Sequence, residues 1–312
     1  MNYLNKYLKQ YRISNISAML HNGKAEPLEC QDDFNGRLVV ITGATSGIGY
    51  VAAREYALHG ANLLVINRNK KKTLDLCEEI QRDFGVECDF MLADFAHISE
   101  VKKVGERLAN SDLNIDVFIH NAGVYLNEKT ISEDGLEMVF QVDHLGSFIL
   151  NYILKDKLKS QQKCRIILVN SEGHRFAILG LKLDDLNWEK RRYSGLKSYG
   201  SAKTAQLLTM IKFNDYFKDS NVTINAMHPG NVKTNMGEDN TGFFKRVFIE
   251  RSYRSPDISA KSLYYLGVSK DVEGISGKFF NLTYEEEPAP PAMDREIVEE
   301  LWDLSINLGR LI

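Results

Sequence analysis

Tyr199 and Lys203 stand four residues apart in the stretch Tyr-Gly-Ser-Ala-Lys. On a helix, that spacing puts both side chains on one face. A free tyrosine, with a pKa of about 10, is a poor proton shuttle near neutral pH. An ammonium beside it favours the phenolate and lowers that pKa. The pair therefore suits chemistry in which an oxygen gains or loses a proton, such as a carbonyl receiving hydride. That oxygen needs one proton donor and a second hydrogen bond to hold it. Ser171, just after the apolar run 165–169, offers the second hydroxyl. Alone, the Tyr/Lys spacing is a common chance pattern, so its meaning rests on what else the chain carries and in which order.

The other half of the chemistry lies near the start. Residues 38–41 form a short apolar run, followed by Thr42 and by Gly43, Gly47 and Gly49, and then by an alanine-rich helical pattern over 50–59. Strand, glycine turn and helix in this order open a dinucleotide-binding βαβ unit. Gly43 permits the tight turn, Gly47 lets backbone approach a pyrophosphate, and Gly49 lets the helix pack close to the strand. The turn residues Thr45, Ser46 and Ile48 lie along the same path, where the unpaired amides and positive dipole end of the helix face phosphate. The end of the second strand selects between the nicotinamide cofactors. It carries Asn67 and Arg68, with Lys70, Lys71 and Lys72 behind, and no carboxylate. Arg68 can take a 2′-phosphate bidentately, which points to NADP(H); the alternative is a solvated arginine. Asp94, after the third strand, either accepts from an adenine amino group or forms an Asx turn.

These residues need a scaffold that brings strand ends together, and the pattern supplies one. Apolar runs at 63–66, 88–92, 117–120, 165–169, 222–227 and 278–282 alternate with helical patterns at 75–84, 98–109, 136–154, 198–217 and 256–267. This is the pattern of an α/β Rossmann fold: a doubly wound, seven-stranded parallel sheet with helices on both faces. Residues 1–34 form an N-terminal extension and 35–312 a single domain. Tyr3, Leu4, Tyr7, Leu8 and Tyr11 recur at helical spacing among basic residues. That helix either touches a membrane surface or docks on the protein itself or on a partner subunit. The chain has 312 residues, 44% of them hydrophobic, and a net charge of -3. It can bury a large core, and its charge gives no case for nucleic acid. Four scattered cysteines read as reduced thiols, with no metal spacing. No run long enough to span a bilayer and no secretory leader is visible, which points to a cytoplasmic protein, at most peripheral to a membrane.

Glycine turn, Asn121-Ala122-Gly123, Ser171, Tyr199/Lys203 and Pro229-Gly230 thus follow one another on successive elements. In this combination the chain resembles the short-chain dehydrogenase/reductase family over roughly residues 35–281. Gln141-Val142-Asp143-His144-Leu145-Gly146, Ser171-Glu172-Gly173-His174 and the tail 299–305 make it most similar to the retinol-dehydrogenase-like branch. The resemblance implies that Tyr199 is the general acid/base, that Lys203 binds the nicotinamide ribose, and that Ser171 orients the substrate carbonyl. It further implies that Asn121, Ala122 and Gly123 line the cofactor, and that Pro229, Gly230, Val232 and Thr234 approach the carboxamide. Asp143 stands where the family usually has asparagine. It keeps the shape and adds a negative charge near Lys203, so the proton relay is expected to change. Asn170, where serine is common, is expected to matter little.

The implied substrate is a hydrophobic alcohol or carbonyl compound, and a homo-oligomer is expected from the family. Met236, Phe243, Phe244, Val247 and Phe248 lie in a segment of about 234–256 that reads either as an apolar lid or as ordinary core. Residues 294–311 form a helical tail. Two other functions compete: a dinucleotide-binding sensor or scaffold without turnover, suggested by Asp143, and a nucleotide-sugar epimerase. The Gly-x-x-x-Gly-x-Gly spacing disfavours the epimerase.

Overall fold

The computed structural model describes residues 3–232 and 255–311. The chain enters through two short helices, α1 (Tyr3–Leu8) and α2 (Ile13–Asn22). It then runs β1 (Leu38–Thr42), α3 (Gly47–Leu58), β2 (Asn62–Asn67), α4 (Lys70–Phe84), β3 (Cys88–Leu92), α5 (Ile98–Ala109) and β4 (Val117–His120). The second half contains α6 (Met138–Phe140), a π-turn (Gln141–Leu145), α7 (Gly146–Ser160), β5 (Cys164–Val169), α8 (Gly195–Phe217), β6 (Val222–His228), α9 (Pro256–Val268), β7 (Phe279–Asn281), β8 (Tyr284–Glu286) and α10 (Arg295–Leu308). The strands form one sheet in the order β3-β2-β1-β4-β5-β6-β7-β8. Seven are parallel, as the sequence pattern predicts; the eighth, β8, pairs antiparallel to β7 and lies in a run too short and polar to read as a strand. The order reverses between β1 and β4, which opens a crevice at the carboxyl ends of these strands.

The strands are apolar on both sides because both sides are covered. Val40, Leu64 and Ile66 face one core with α5, α7 and α8. Their neighbours Val39, Ile41, Leu63 and Val65 face the other, with α3, α4 and α9. Side chains alternate across a strand, so a continuous apolar run supplies both cores at once.

One expectation is corrected. The predicted helix over 136–154 is interrupted. Glu137 caps the short α6 by accepting from the amides of Val139 and Phe140, at 3.2 and 2.9 Å. The wider π-turn then leaves the carbonyl of Asp143 outside the regular ladder, where the Gln206 side chain donates to it at 3.2 Å. A hydrophobic pattern does not report that local widening. At the N-terminus, α1 docks on the protein itself. Tyr7 is buried and its hydroxyl donates to Asp294 at 2.5 Å, while Lys6 pairs with Asp294 at 2.6 Å. Exposed apolar side chains of the extension are Leu8 at the end of α1, Ile13, Ile16 and Leu20 of α2, and Leu28. The segment read as a lid, together with Thr234, lies outside the described residues, except for its last two positions.

Candidate active site

The glycine turn closes against the end of β4. Gly43 and Gly47 have positive φ, +72° and +57°, a backbone that side chains resist. A Cβ on Gly49 would sit 2.3 Å from the Gly43 carbonyl and 2.4 Å from the Asn121 amide nitrogen, so no larger residue fits. Asn121 donates from its side chain to the carbonyls of Thr42 and Gly43, at 3.1 and 2.9 Å. The backbone amides of Asn121 and Ala122 both donate to the Thr42 hydroxyl at 3.0 Å. Asn67 accepts from the Ala44 amide at 2.7 Å and anchors the other flank. Ser46 caps α3 without a side-chain bond, so its own hydroxyl does not satisfy the first amides of that helix. This glycine cradle with open amides fits a dinucleotide pyrophosphate. At the far end of β2 the Arg68 guanidinium is 71% exposed and lies 3.8 Å from Asp94. Asp94 also accepts from the Ala96 amide at 3.0 Å, which is the Asx turn that its position allows.

The second half of the site is assembled on β5, α8 and the π-turn. Asn170 donates to the Lys203 carbonyl at 3.0 Å and to the Gln206 side chain at 2.8 Å, and its oxygen accepts from the Ser171 amide at 2.8 Å. These bonds tie the end of β5 to the first turns of α8, so Asn170 has a larger structural part than its position suggests. The Ser171 hydroxyl accepts from the Gly173 amide at 3.0 Å and acts to lower the Tyr199 pKa. The Ser171–Gly173 turn packs on the phenol: a Cβ on Gly173 would lie 2.7 Å from the Tyr199 ring. Tyr125 meets the same ring edge-on at 5.7 Å.

Lys203 is buried, and its ammonium makes two contacts. It donates to the Val169 carbonyl at 3.1 Å and lies 3.3 Å from a carboxylate oxygen of Asp143. The other Asp143 oxygen accepts from the Val124 amide at 2.7 Å. Gly123 leaves room for this carboxylate, since a Cβ there would stand 3.3 Å from it. Burial works against the ammonium, yet Asp143 and Tyr199 hold the Lys203 pKa above its ordinary value. Burial pushes the Asp143 pKa up, against the pull of Lys203 and the Val124 amide. The Tyr199 phenol is partly exposed, and burial raises its pKa; Lys203 and the Ser171 hydroxyl act downward, whereas Asp143 acts upward. The ammonium therefore has the effect expected from spacing alone, but it is opposed.

On the β6 side, Gly230 takes φ +81°, and the Ser259 hydroxyl donates to the Pro229 carbonyl at 2.5 Å. Val232 follows and is half-buried. The structure thus brings together Gly43, Gly49, Asn121, Ala122 and Gly123 at one flank and Asp143, Ser171, Tyr199 and Lys203 at the other. Reading by type and spacing passes over Thr42, Asn67, Glu137 and Gln206. Thr42, Asn67 and Glu137 are polar residues at the end of an apolar element, and that position is the available signal, whereas Gln206 is a buried polar residue in the middle of α8.

Residues 37–181 match the profile of the short chain dehydrogenase family. Human retinol dehydrogenase 13 is 33% identical over 287 residues, covering 88% of this chain and 84% of that protein. The WW domain-containing oxidoreductase of Danio rerio is 30% identical over 296 residues, covering 92% and 72%. Among solved structures, an uncharacterised protein from Mycobacterium Paratuberculosis superposes with a TM-score of 0.69 at 26% identity, covering 89% of this chain and 95% of that one. A short chain dehydrogenase from Shigella flexneri, complexed with NADP, has the same fold, with a TM-score of 0.63 at 21% identity, covering 81% and 99%. Fold and relatives define an oxidoreductase that acts on alcohols or carbonyls with a nicotinamide dinucleotide. The chain belongs to the short-chain dehydrogenase/reductase family, in its retinol-dehydrogenase-like branch. Among the described residues, no helix is long and apolar enough to cross a membrane.

Proposed function

We propose that the protein is an NADP(H)-dependent oxidoreductase that interconverts an alcohol and a ketone or aldehyde on a hydrophobic small molecule, with Tyr199 as general acid/base. The observation that carries this reading is the convergence of Tyr199, Ser171 and Lys203 at the carboxyl end of β5. When bound, the dinucleotide supplies or accepts the hydride. Gly43, Gly47, Gly49 and the first amides of α3 would hold its pyrophosphate. Arg68, which no carboxylate among the described residues contacts more closely than 3.8 Å, would meet a 2′-phosphate. Asn121, Ala122 and Gly123 would line it, with Pro229, Gly230 and Val232 beyond. Ser171 donates to the substrate oxygen and holds it against the Tyr199 hydroxyl. In reduction that hydroxyl gives its proton to the oxygen; in oxidation the phenolate takes it back. Lys203 stabilises the phenolate charge.

Tyr199→Phe removes only the oxygen that moves the proton. Turnover of a panel of ketones, aldehydes and retinoids, followed by NADPH absorbance, should fall by about 10³-fold or more. Fluorescence titration should find NADPH binding unchanged. Full activity in this variant would refute the assignment. The Lys203–Asp143 pair also favours a second reading, a dinucleotide sensor without turnover, which an active parent protein would dismiss.

A further inference from the structure

Among the described residues Lys203 is the cation that acts on the Tyr199 phenol, and a buried carboxylate already engages it. The Asp143 side chain is wholly shielded from solvent and that of Lys203 is 5% exposed, so water screens neither charge. Two contacts favour the Asp143 anion against the cost of its burial: the ammonium 3.3 Å from one oxygen and the Val124 amide 2.7 Å from the other. The π-turn fixes its backbone, since Gln206 on α8 grips the Asp143 carbonyl. Carboxylate and ammonium therefore form a buried pair on two facing elements, with the partly exposed phenol beside it. With the phenol protonated, the three are neutral overall. When the phenol gives up its proton, the three become negative against a low-dielectric wall.

We propose that Asp143 is a positioning residue that keeps Tyr199 in its protonated, proton-donating form to high pH. Carbonyl reduction then persists into the alkaline range, and alcohol oxidation, which needs the phenolate, begins only there. The proposal rests on the reading of Tyr199 as the acid/base. The groups that act on the phenol are Lys203 below it on α8, Asp143 across the π-turn and the Ser171 hydroxyl. Glu137, at the head of α6, adds to the negative field at Asp143, and Tyr125 faces Tyr199 from beyond β4. Of these side chains, only Lys203 is a cation, and Asp143 offsets it. The bond that breaks in reduction is the Tyr199 O–H, and its proton ends on the substrate oxygen. Asp143 exchanges no proton in this step.

The test is Asp143→Asn, which keeps an oxygen for the Val124 amide and removes the charge. The pH at which oxidation gains rate and reduction loses it should move down by about one unit or more, and kcat/KM should be profiled in both directions. Superimposable profiles, or an upward move, would overturn the proposal. If the variant does not fold, the parent still decides: the phenolate absorbance that Tyr199→Phe removes should appear only above the ordinary tyrosine value of about 10. Its appearance at or below pH ~8 would overturn the proposal. A fully active Tyr199→Phe would instead defeat the acid/base reading, so the two failures are distinct.

Discussion

Two cations flank Ser171, Lys203 buried and Arg175 half-buried, and they are held differently. Arg175, in the 3₁₀ turn after Ser171, meets Glu172 and Glu286 at 2.5 Å each and donates to the Glu287 carbonyl at 3.1 Å. Asn22 of α2 and Asn281 of β7 add donors to Glu286, at 3.3 and 3.2 Å. This clamp, built on Nε and Nη2 of Arg175, joins the N-terminal extension, the 3₁₀ turn and the sheet edge. Lys203 has one carboxylate and one carbonyl, and its third direction faces the Tyr199 ring, whose centroid is 5.4 Å away. A cation set between two carboxylates has its charge offset twice and serves to hold parts together. One with capacity left can stabilise a charge that appears and disappears. The same chemical pairing thus serves architecture at one place and reactivity at the other.

Replacing each cation with methionine should separate the two uses. Lys203→Met should lower kcat by about 10²–10⁴-fold, because the phenolate loses its stabilising charge. It also strands a buried carboxylate, so some stability is lost with it. Arg175→Met leaves two carboxylates without their cation and should cost about 3–5 kcal/mol, or roughly 5–15 °C in melting temperature. Its kcat, measured well below the melt, should stay within about 3-fold of the parent. Steady-state kinetics and thermal melts on both variants decide the matter. The contrast disappears if Arg175→Met loses turnover as deeply as Lys203→Met.

What could be read in advance follows the same division. The glycine turn was legible because Gly43 and Gly47 take a backbone that few residues tolerate, and the sheet because its strands are apolar on both faces. Tyr199, Lys203 and Ser171 were legible from their spacing and their places at element ends. The clamp was not: Glu172 and Glu286 are far apart in sequence, and charged residues at such separations carry no period. The π-turn was hidden for a related reason, because Val142, Leu145 and Phe148 keep an apolar pattern whether the ladder widens or not. The opposition between Lys203 and Asp143 was anticipated in sign, since the aspartate stands out in its motif, but its contact distance depends on that same turn.

Histidines beside each cation sharpen the comparison through pH. His174, in the clamp turn, donates from Nδ1 to the Ser171 carbonyl at 2.8 Å, and its Nε2 accepts from the Ala289 amide at 3.0 Å. An imidazolium would set one donor against another there. Burial, with Arg175 adding to it, lowers its pKa to about 3. His144, next to Asp143, is buried and likewise lowered to about 3. In the unfolded chain both titrate near 6.5, so below that pH the unfolded state binds the protons first. Stability is therefore complete above about pH 6.5 and falls as pH drops towards 3, by up to about 1.4 kcal/mol per pH unit for each histidine. Thermal melts between pH 7.5 and 5 should show this decline, and His174→Asn should flatten it. A melting temperature that does not change across that window would remove both histidines from the account.

The smallest effect belongs to a third cation, which nothing saturates. Arg68 is largely in solvent, and its 3.8 Å approach to Asp94 is an ion pair too long for a hydrogen bond, so it adds little to stability. Its use, if NADP(H) is the cofactor, is to meet a phosphate that NAD(H) lacks. A single charge-assisted contact at an exposed site is worth roughly 1.4 kcal/mol, or tenfold in affinity. Arg68→Gln should therefore weaken NADPH binding about tenfold, leave NADH binding as it was, and shift the melting temperature by less than about 1 °C. Fluorescence titration with both dinucleotides measures the difference directly. An equal loss for both would mean that Arg68 holds the adenosine rather than the phosphate, and no loss for either would mean that it is only a solvated end of β2.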